Sequence, residues 1–141
     1  MSEDSNIIVL DTSALFTYIE DEDGSNYVEN LLIHAENGDM EIYIAFVSLT
    51  EVFYIISREK GEKAAIEKIK LIQSLEIKVN ESDENLCIEA GKIKANNSIS
   101  LADAYIAALT QRLKATLVHK DPEFEKLSKI IKDYKLPYKT S

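Results

Sequence analysis

The apolar residues of this chain fall into short continuous runs that alternate with longer stretches of helical spacing. Short runs of Ile, Val and Leu predict strands buried on both faces, as in a parallel sheet. Stretches in which apolar residues recur every three or four positions predict helices that pack on such a sheet. The predicted strands cover residues 7–10, 41–47, 75–79 and 116–118, and one more is expected near residues 130 and 131.

Helices are predicted in the intervals between these strands. The first two cover residues 12–20 and 25–36. The others begin at Ser48, after Gly61, near Leu86, at Ser100 and after Pro122. In the helix from Ser100, four residues are expected to face inward: Leu101, Tyr105, Ala108 and Leu109. Strands separated by helices favour a three-layer α/β/α fold around a central, mostly parallel sheet.

The length of 141 residues predicts a single domain that covers residues 1–141. No apolar run approaches the length of a membrane span, and the polar, acidic start from Met1 to Asn6 is not typical of a signal peptide. The single cysteine, Cys87, is expected to be a small buried apolar residue. These features predict a cytoplasmic protein without membrane contact.

The charge balance is acidic, with 25 acidic against 16 basic residues and a net charge of -9. Proteins that bind nucleic acid by counterion release are usually basic. An acidic chain can still act on phosphates if some of its carboxylates cluster and hold divalent cations. Otherwise the excess acid favours solubility or a basic partner.

The first predicted strand ends in a carboxylate, Asp11, which two hydroxyl residues follow, Thr12 and Ser13. Parallel α/β sheets bind ligands in the crevice beyond the carboxyl ends of their strands. Asp11 is therefore a candidate functional acid, and the two hydroxyls are candidates to position a phosphate. Asp is also a common helix N-cap, so Asp11 alone leaves function and capping equally open.

Three further acids stand near the end of a predicted strand or the start of a predicted helix: Glu51, Asp103 and Asp121. Four such acids from separate elements can meet at one edge of a sheet. Each also fits a helix cap, because Glu51 and Asp103 stand three residues after a serine and Asp121 precedes a proline. Alanines surround Asp103, however, and an unpaired carboxylate in a buried helix is costly, so a divalent cation would supply its pairing.

Four segments resemble, in order and rough spacing, the acidic motifs of the PIN-domain nucleases. The resemblance extends from residue 7 to about residue 133 and is greatest to the toxin subunits of VapBC toxin–antitoxin pairs. The segments are Asp11-Thr12-Ser13, Thr50-Glu51-Val52, Leu101-Ala102-Asp103-Ala104 and Asp121-x-x-Phe124.

The resemblance implies a Mg²⁺- or Mn²⁺-dependent endoribonuclease that hydrolyses RNA phosphodiester bonds. Its catalytic, metal-binding acids would be Asp11, Glu51, Asp103 and Asp121, and Glu123 stands where the family often has a further Asp. The resemblance also implies an RNA substrate and an antitoxin partner. A homodimer is expected because the helix pair from Ser48 to Leu75 is rich in apolar residues, which suit a partner helix or a second copy. Two alternatives stay open: an RNA-binding or scaffold module without turnover, and a nuclease of RNA processing that is not a toxin.

His119 departs from the family pattern, which usually has Thr or Ser two positions before the fourth acid. A histidine there is a candidate to contact a phosphate or to transfer a proton. The alternative is a partly exposed histidine in a strand-to-helix turn.

Overall fold

A single parallel sheet forms the centre of the protein, and the computed structural model describes residues 6–138. Within these residues the sheet has five strands in the order β3-β2-β1-β4-β5. The strands are β1 (Ile7–Leu10), β2 (Glu41–Ala45), β3 (Lys78–Asn80), β4 (Thr116–His119) and β5 (Lys132–Lys135). Strand β1 lies at the middle and pairs in parallel with both β2 and β4.

Helices follow the strands along the described chain. They are α1 (Thr12–Ile19), α2 (Ser25–Glu36), α3 (Phe46–Lys60), α4 (Glu62–Ser74), α5 (Glu84–Asn96), α6 (Leu101–Leu113) and the 3₁₀ helix Pro122–Leu127. None of the helices within residues 6–138 combines the length and hydropathy needed to cross a membrane.

Two hydrophobic cores lie on opposite faces of the sheet. Side chains alternate between the faces along β1, so that Ile8 and Leu10 pack with α1 to α4, whereas Val9 packs with α5 and α6. The expected three-layer α/β/α architecture with a parallel sheet is therefore confirmed.

Some local predictions were wrong, for physical reasons that the helices show. Helix α3 begins at Phe46, so Ser48 lies inside its first turn and is not its cap. Leu101 is 59% exposed because the buried residues of α6 begin only at Asp103. Cys87 is exposed because it lies outside the buried face of α5, which is formed by Leu86, Ala90 and Ile93.

The strand ends are also shifted from their predicted positions. Strand β2 ends at Ala45, two residues early, and β3 is displaced to Lys78–Asn80. The last strand is Lys132–Lys135, just beyond the predicted position. Because β1, β2 and β4 run parallel, their carboxyl ends meet at one edge of the sheet, where the backbone N–H of Asp11 donates to Val118 O at 3.1 Å.

Candidate active site

A cavity of about 390 Å³ opens at the carboxyl edge of the sheet. It is lined by Asp11, Thr12, Ser13, Phe16, Glu51, Ile55, Ser100, Asp103, Asp121 and Glu123. The acids reach it from separate parts of the fold: the end of β1, helix α3, the start of α6, and the start of the 3₁₀ helix after β4. The structure thus brings together all five acids singled out in the sequence.

Asp11 is both the N-cap of α1 and part of the cavity wall. Its carboxylate is 2% exposed and accepts the N–H of Ala14 at 2.7 Å, and the Ser13 hydroxyl lies 2.7 Å from both of its oxygens. Burial raises the pKa of Asp11 from 3.8 to about 7, against the lowering effect of these donors, and the charge of Asp121 adds to the rise. Capping and a place in the site are therefore compatible roles for this residue.

The two hydroxyls after Asp11 are already engaged with protein groups. The Ser13 hydroxyl lies against Asp11 and accepts the backbone N–H of Lys120 at 2.8 Å. The Thr12 hydroxyl donates to Glu51 Oε1 at 2.6 Å and lies 3.0 Å from Ser48 Oγ. Both line the cavity, as expected for groups near a phosphate, but in this arrangement their hydrogen bonds orient carboxylates.

Glu51 does not cap a helix, because α3 begins five residues earlier at Phe46. The capping-box interpretation of the Ser48 and Glu51 pair is therefore wrong. Ser48 is fully buried, and Glu51 is half-buried with its carboxylate held by Thr12 at the cavity.

Asp103 makes only half of the predicted capping box. Ser100 is the N-cap of α6, and its hydroxyl accepts the Asp103 N–H at 3.1 Å. The N–H of Ser100 donates instead to Glu123 Oε1 at 3.0 Å, the bond that the carboxylate of Asp103 would make in a complete box. This exchange leaves the Asp103 carboxyl directed at the other acids.

Three carboxylates, those of Asp103, Asp121 and Glu123, form a cluster in which one oxygen of each lies within 4.8 Å of the others. Burial, a hydrogen bond with Glu123 and the charges of nearby acids raise the pKa of Asp103 from 3.8 to about 9. The same hydrogen bond lowers the pKa of Glu123. The raised pKa favours the protonated form of the Asp103 carboxyl, hydrogen-bonded to Glu123, and a cation could take the place of that proton.

The donor set fits a hard divalent cation. All the ligand atoms are carboxylate oxygens, which Mg²⁺ prefers, and the cavity leaves space for water and phosphate oxygens to complete an octahedron. Burial is the main cause of the raised pKa values of Asp11 and Asp103, and the charges of neighbouring acids add to it, so a bound cation would favour the ionised carboxylates.

His119 lies behind Asp121 rather than in the cavity. Its side chain is fully buried, its Nδ1 accepts the Asp121 N–H at 3.1 Å and its Nε2 lies 2.8 Å from Asp133 Oδ2. The expectation that His119 contacts a phosphate, and the alternative of a partly exposed residue, are both wrong, because burial and these two bonds leave neither nitrogen facing the cavity.

A second cavity of about 420 Å³ adjoins the first, and the two share Ser13, Phe16 and Ile55. Its other lining residues combine acidic and apolar groups with one lysine: Glu20, Glu22, Glu59, Lys120, Pro122 and Tyr138. The Lys120 ammonium is buried and donates to Asp23 O at 2.8 Å, so it is already engaged with the α1–α2 turn.

A family model described as "PIN domain" matches residues 8–130 of the chain. Comparison with curated proteins gives no significant match.

Solved structures of several toxin–antitoxin proteins share the fold. VapBC2 of Rickettsia felis, bound to a DNA fragment from its promoter, superposes with a TM-score of 0.72 at 22% identity over 93% of this chain and 99% of that one. DNA-bound VapBC of Salmonella typhimurium gives a TM-score of 0.73 at 18% identity over 91% and 96%. The sarcin–ricin-loop-cleaving toxin VapC20 of Mycobacterium tuberculosis gives 0.65 at 16% identity over 84% and 92%. At these identities the superpositions show a common fold.

Proposed function

Because this chain belongs to the PIN-domain family, we propose that it is a Mg²⁺- or Mn²⁺-dependent endoribonuclease that hydrolyses RNA phosphodiester bonds. The observation that carries the proposal is the convergence of five carboxylates on one cavity at the carboxyl edge of the sheet. Carboxylates that converge in this way offer oxygen ligands to a divalent cation and repel phosphate without one.

The cation would be held by Asp103, Asp121 and Glu123, with Asp11 facing them across the cavity. A divalent cation bound there would acidify a water and offset the charge that develops on the phosphoryl oxygens during hydrolysis. Asp103 has to release its proton to bind the cation, so cation affinity should rise with pH.

The remaining polar groups orient the acids and the attacking water. Thr12 fixes Glu51 with a short hydrogen bond, which leaves the second oxygen of Glu51 to accept a proton from a water molecule. Ser13 links the Asp11 carboxylate to the backbone at Lys120 and so ties the end of β1 to the end of β4.

Cleavage of total RNA, followed by mapping of the new ends, tests this function. The protein is expected to cleave with Mg²⁺ or Mn²⁺, to stop with EDTA, and to leave 5′-phosphate and 3′-hydroxyl ends. Glu51→Gln keeps an acceptor for Thr12 but removes the negative charge, so it should lose activity, whereas Glu67→Gln on the exposed side of α4 should not. Cation-independent RNA binding without cleavage would instead identify a scaffold module.

The biological role that best fits is the toxin of a toxin–antitoxin pair that acts on RNA and is neutralised by a protein partner. The VapBC structures with the same fold support this role. The second cavity also supports a protein partner, because its glutamates and apolar side chains suit a basic segment with apolar residues. Growth arrest on expression, relieved by the product of a small adjacent reading frame, is the expected result; cleavage without growth arrest would favour RNA processing.

A homodimer is the proposed assembly, and exposed apolar residues of α3 and α4 are available for it. Tyr54, Ile66 and Leu71 are 41%, 43% and 37% exposed. Light scattering of the purified protein is expected to give twice the monomer mass of 15.9 kDa. A monomer mass at micromolar concentration would contradict the dimer.

A further inference from the structure

His119 connects the proposed metal ligand Asp121 to strand β5. The ring is fully buried, and its centroid lies 5.1 Å from that of Phe124. Because Nδ1 accepts the backbone N–H of Asp121, that nitrogen carries no proton, and the hydrogen bonds therefore assign the single ring proton to Nε2, which donates to Asp133.

The position of Asp121 requires such a restraint. Its charge raises the pKa of both Asp11 and Asp103, which shows that the carboxylates repel one another across the cavity. Asp121 stands in extended backbone between β4 and the 3₁₀ helix, where no regular helical or strand bond fixes its N–H. Only the Glu123 N–H, at 2.9 Å from Asp121 Oδ1, contacts its carboxylate among the hydrogen bonds of residues 6–138.

We propose that His119 and Asp133 form a positioning pair that holds the backbone of Asp121, and through it the Asp121 carboxylate, in the geometry that a divalent cation requires. The ring contacts Asp121 only through the backbone and lies outside the cavity, so it acts through Asp121 and does not touch the substrate. That Asp121 is a metal ligand rests on the proposed function. The geometry of the His119–Asp133 pair does not depend on that proposal.

Strand β5 becomes part of the site through this pair. It lies beside β4 in a parallel register that opposes His119 to Lys135, and the N–H of Leu136 donates to His119 O at 2.8 Å. The Asp133 side chain is 18% exposed, and its carboxylate lies 2.8 Å from Nε2 of the buried ring. Thr or Ser at position 119 would carry a single short hydroxyl, which cannot contact both the Asp121 N–H and Asp133. The restraint from β5 therefore depends on the two ring nitrogens of the histidine in this chain.

Two amide substitutions separate the two bonds of the ring. In His119→Asn the side-chain oxygen can take the place of Nδ1 and accept the Asp121 N–H, but the amide is too short to reach Asp133. In His119→Gln the amide can replace Nε2 and bond Asp133, but the Asp121 N–H loses its acceptor. Both variants lose the ring that packs on Phe124, so both should lower the melting temperature by comparable amounts.

Mn²⁺ titration of the full-length variants, well below their melting temperatures, measures the difference. His119→Gln should weaken Mn²⁺ binding by about ten-fold or more, because outer partners of a metal ligand typically affect affinity by ~10–100-fold. His119→Asn should weaken it less, by about three-fold, because it keeps the bond to Asp121 but loses the anchor on Asp133. His34→Gln, at the exposed histidine of α2, is the matched control and should leave affinity unchanged. Equal losses in the two His119 variants would overturn the positioning role.

Amide hydrogen exchange and ¹⁵N spectra of the metal-free protein provide readouts that do not depend on the proposed function. The ring of His119 should show the tautomer protonated at Nε2. The Asp121 amide should be most protected in the wild type, less protected in His119→Asn, and least protected in His119→Gln. Protection that is the same in all three proteins would refute the pair, whereas a wild type that shows this protection but binds no Mn²⁺ would refute the metal site and leave the pair in place.

Discussion

The two walls of the candidate active site hold their carboxylates in different ways. In the hydroxyl-braced wall, formed by Asp11, Glu51 and the first two residues of α1, Thr12 and Ser13, neutral donors contact each acid. In the acid-paired wall, formed by Asp103, Asp121 and Glu123, the Asp103 carboxyl is held by another carboxyl and keeps a proton. In the first wall a neutral donor of the protein contacts each acid, although burial still raises the pKa of Asp11, whereas in the second wall the Asp103 carboxyl depends on a proton or a cation.

This difference predicts that the two walls respond differently to metal, pH and mutation. A wall that already has its donors gains little from a cation, but it fixes the geometry into which the cation fits. A wall of facing carboxylates gains the most, because the cation removes both the repulsion and the cost of burial. Substitutions that change one wall at a time separate the two.

The largest effect is expected from Asp103→Asn in the acid-paired wall. Because Asp103 is protonated at neutral pH, an asparagine amide can replace it and donate to Glu123 in the same way. The metal-free melting temperature should be unchanged or higher, whereas RNA cleavage should fall by at least about 100-fold. Measurement of both on one preparation is decisive, since a less stable but fully active variant would mean that the Asp103 carboxyl only supports the fold.

Divalent cations should stabilise the wild type through the same wall. A cation that binds only the native state adds about 2.7 kcal/mol to the free energy of unfolding at 100 times its dissociation constant. Thermal melts with Mg²⁺ or Mn²⁺ should show this gain, which Asp103→Asn should abolish and Asp11→Asn should reduce. Glu67→Gln, on the exposed side of α4, is the control that should keep it, and an equal gain in all four proteins would place the cation elsewhere.

The sequence predicted the sheet and the acids because both are encoded locally. Apolar runs such as residues 7–10 mark buried strands, and an acid directly after such a run lies at the carboxyl edge whatever the details of the loop. Asp11 and Asp121 follow β1 and β4, which are neighbours in the sheet, so their proximity depends only on the strand order. The same reasoning could not tell which of the acids only capped helices.

The roles of the hydroxyls and of His119 could not be predicted, because they depend on contacts between distant parts of the chain. The contact between Thr12 and Glu51 depends on β2 ending at Ala45, two residues before its predicted end, and on α3 beginning at Phe46. His119 meets Asp133 only after β5 has paired with β4. Nothing near Asp133 in the sequence distinguishes it from the exposed acids of the tail.

The stability of the metal-free protein should fall as the pH rises from about 6 to 9. The pKa of Asp11 is raised to about 7 and that of Asp103 to about 9, so the folded state binds protons more tightly than the unfolded state. The stability that this supplies is fully present below the ordinary value near 3.8 and is lost as the pH rises through the folded values. Urea unfolding at pH 6, 7.5 and 9 checks this loss.

A saturating divalent cation should remove that loss, because the cation replaces the protons. Asp103→Asn should remove the loss of stability between pH 7.5 and 9, because Asp11 completes most of its titration below pH 7.5. Stability that rises with pH in the metal-free protein would contradict the raised pKa values. It would also remove the contrast between the acid-paired wall and the hydroxyl-braced wall.

The smallest effect is expected from Thr12→Val in the hydroxyl-braced wall. Valine has nearly the shape of threonine but removes the hydrogen bond to Glu51, so the free energy of unfolding should fall by about 1 kcal/mol. Cleavage should fall about ten-fold, because Glu51 loses its orientation but keeps its charge. Thr12→Ser, which keeps the hydroxyl, should restore most of both. If Thr12→Val lowered cleavage as far as Asp103→Asn does, Thr12 would contact the substrate directly, and the hydroxyls would belong to the reaction rather than to the support of its acids.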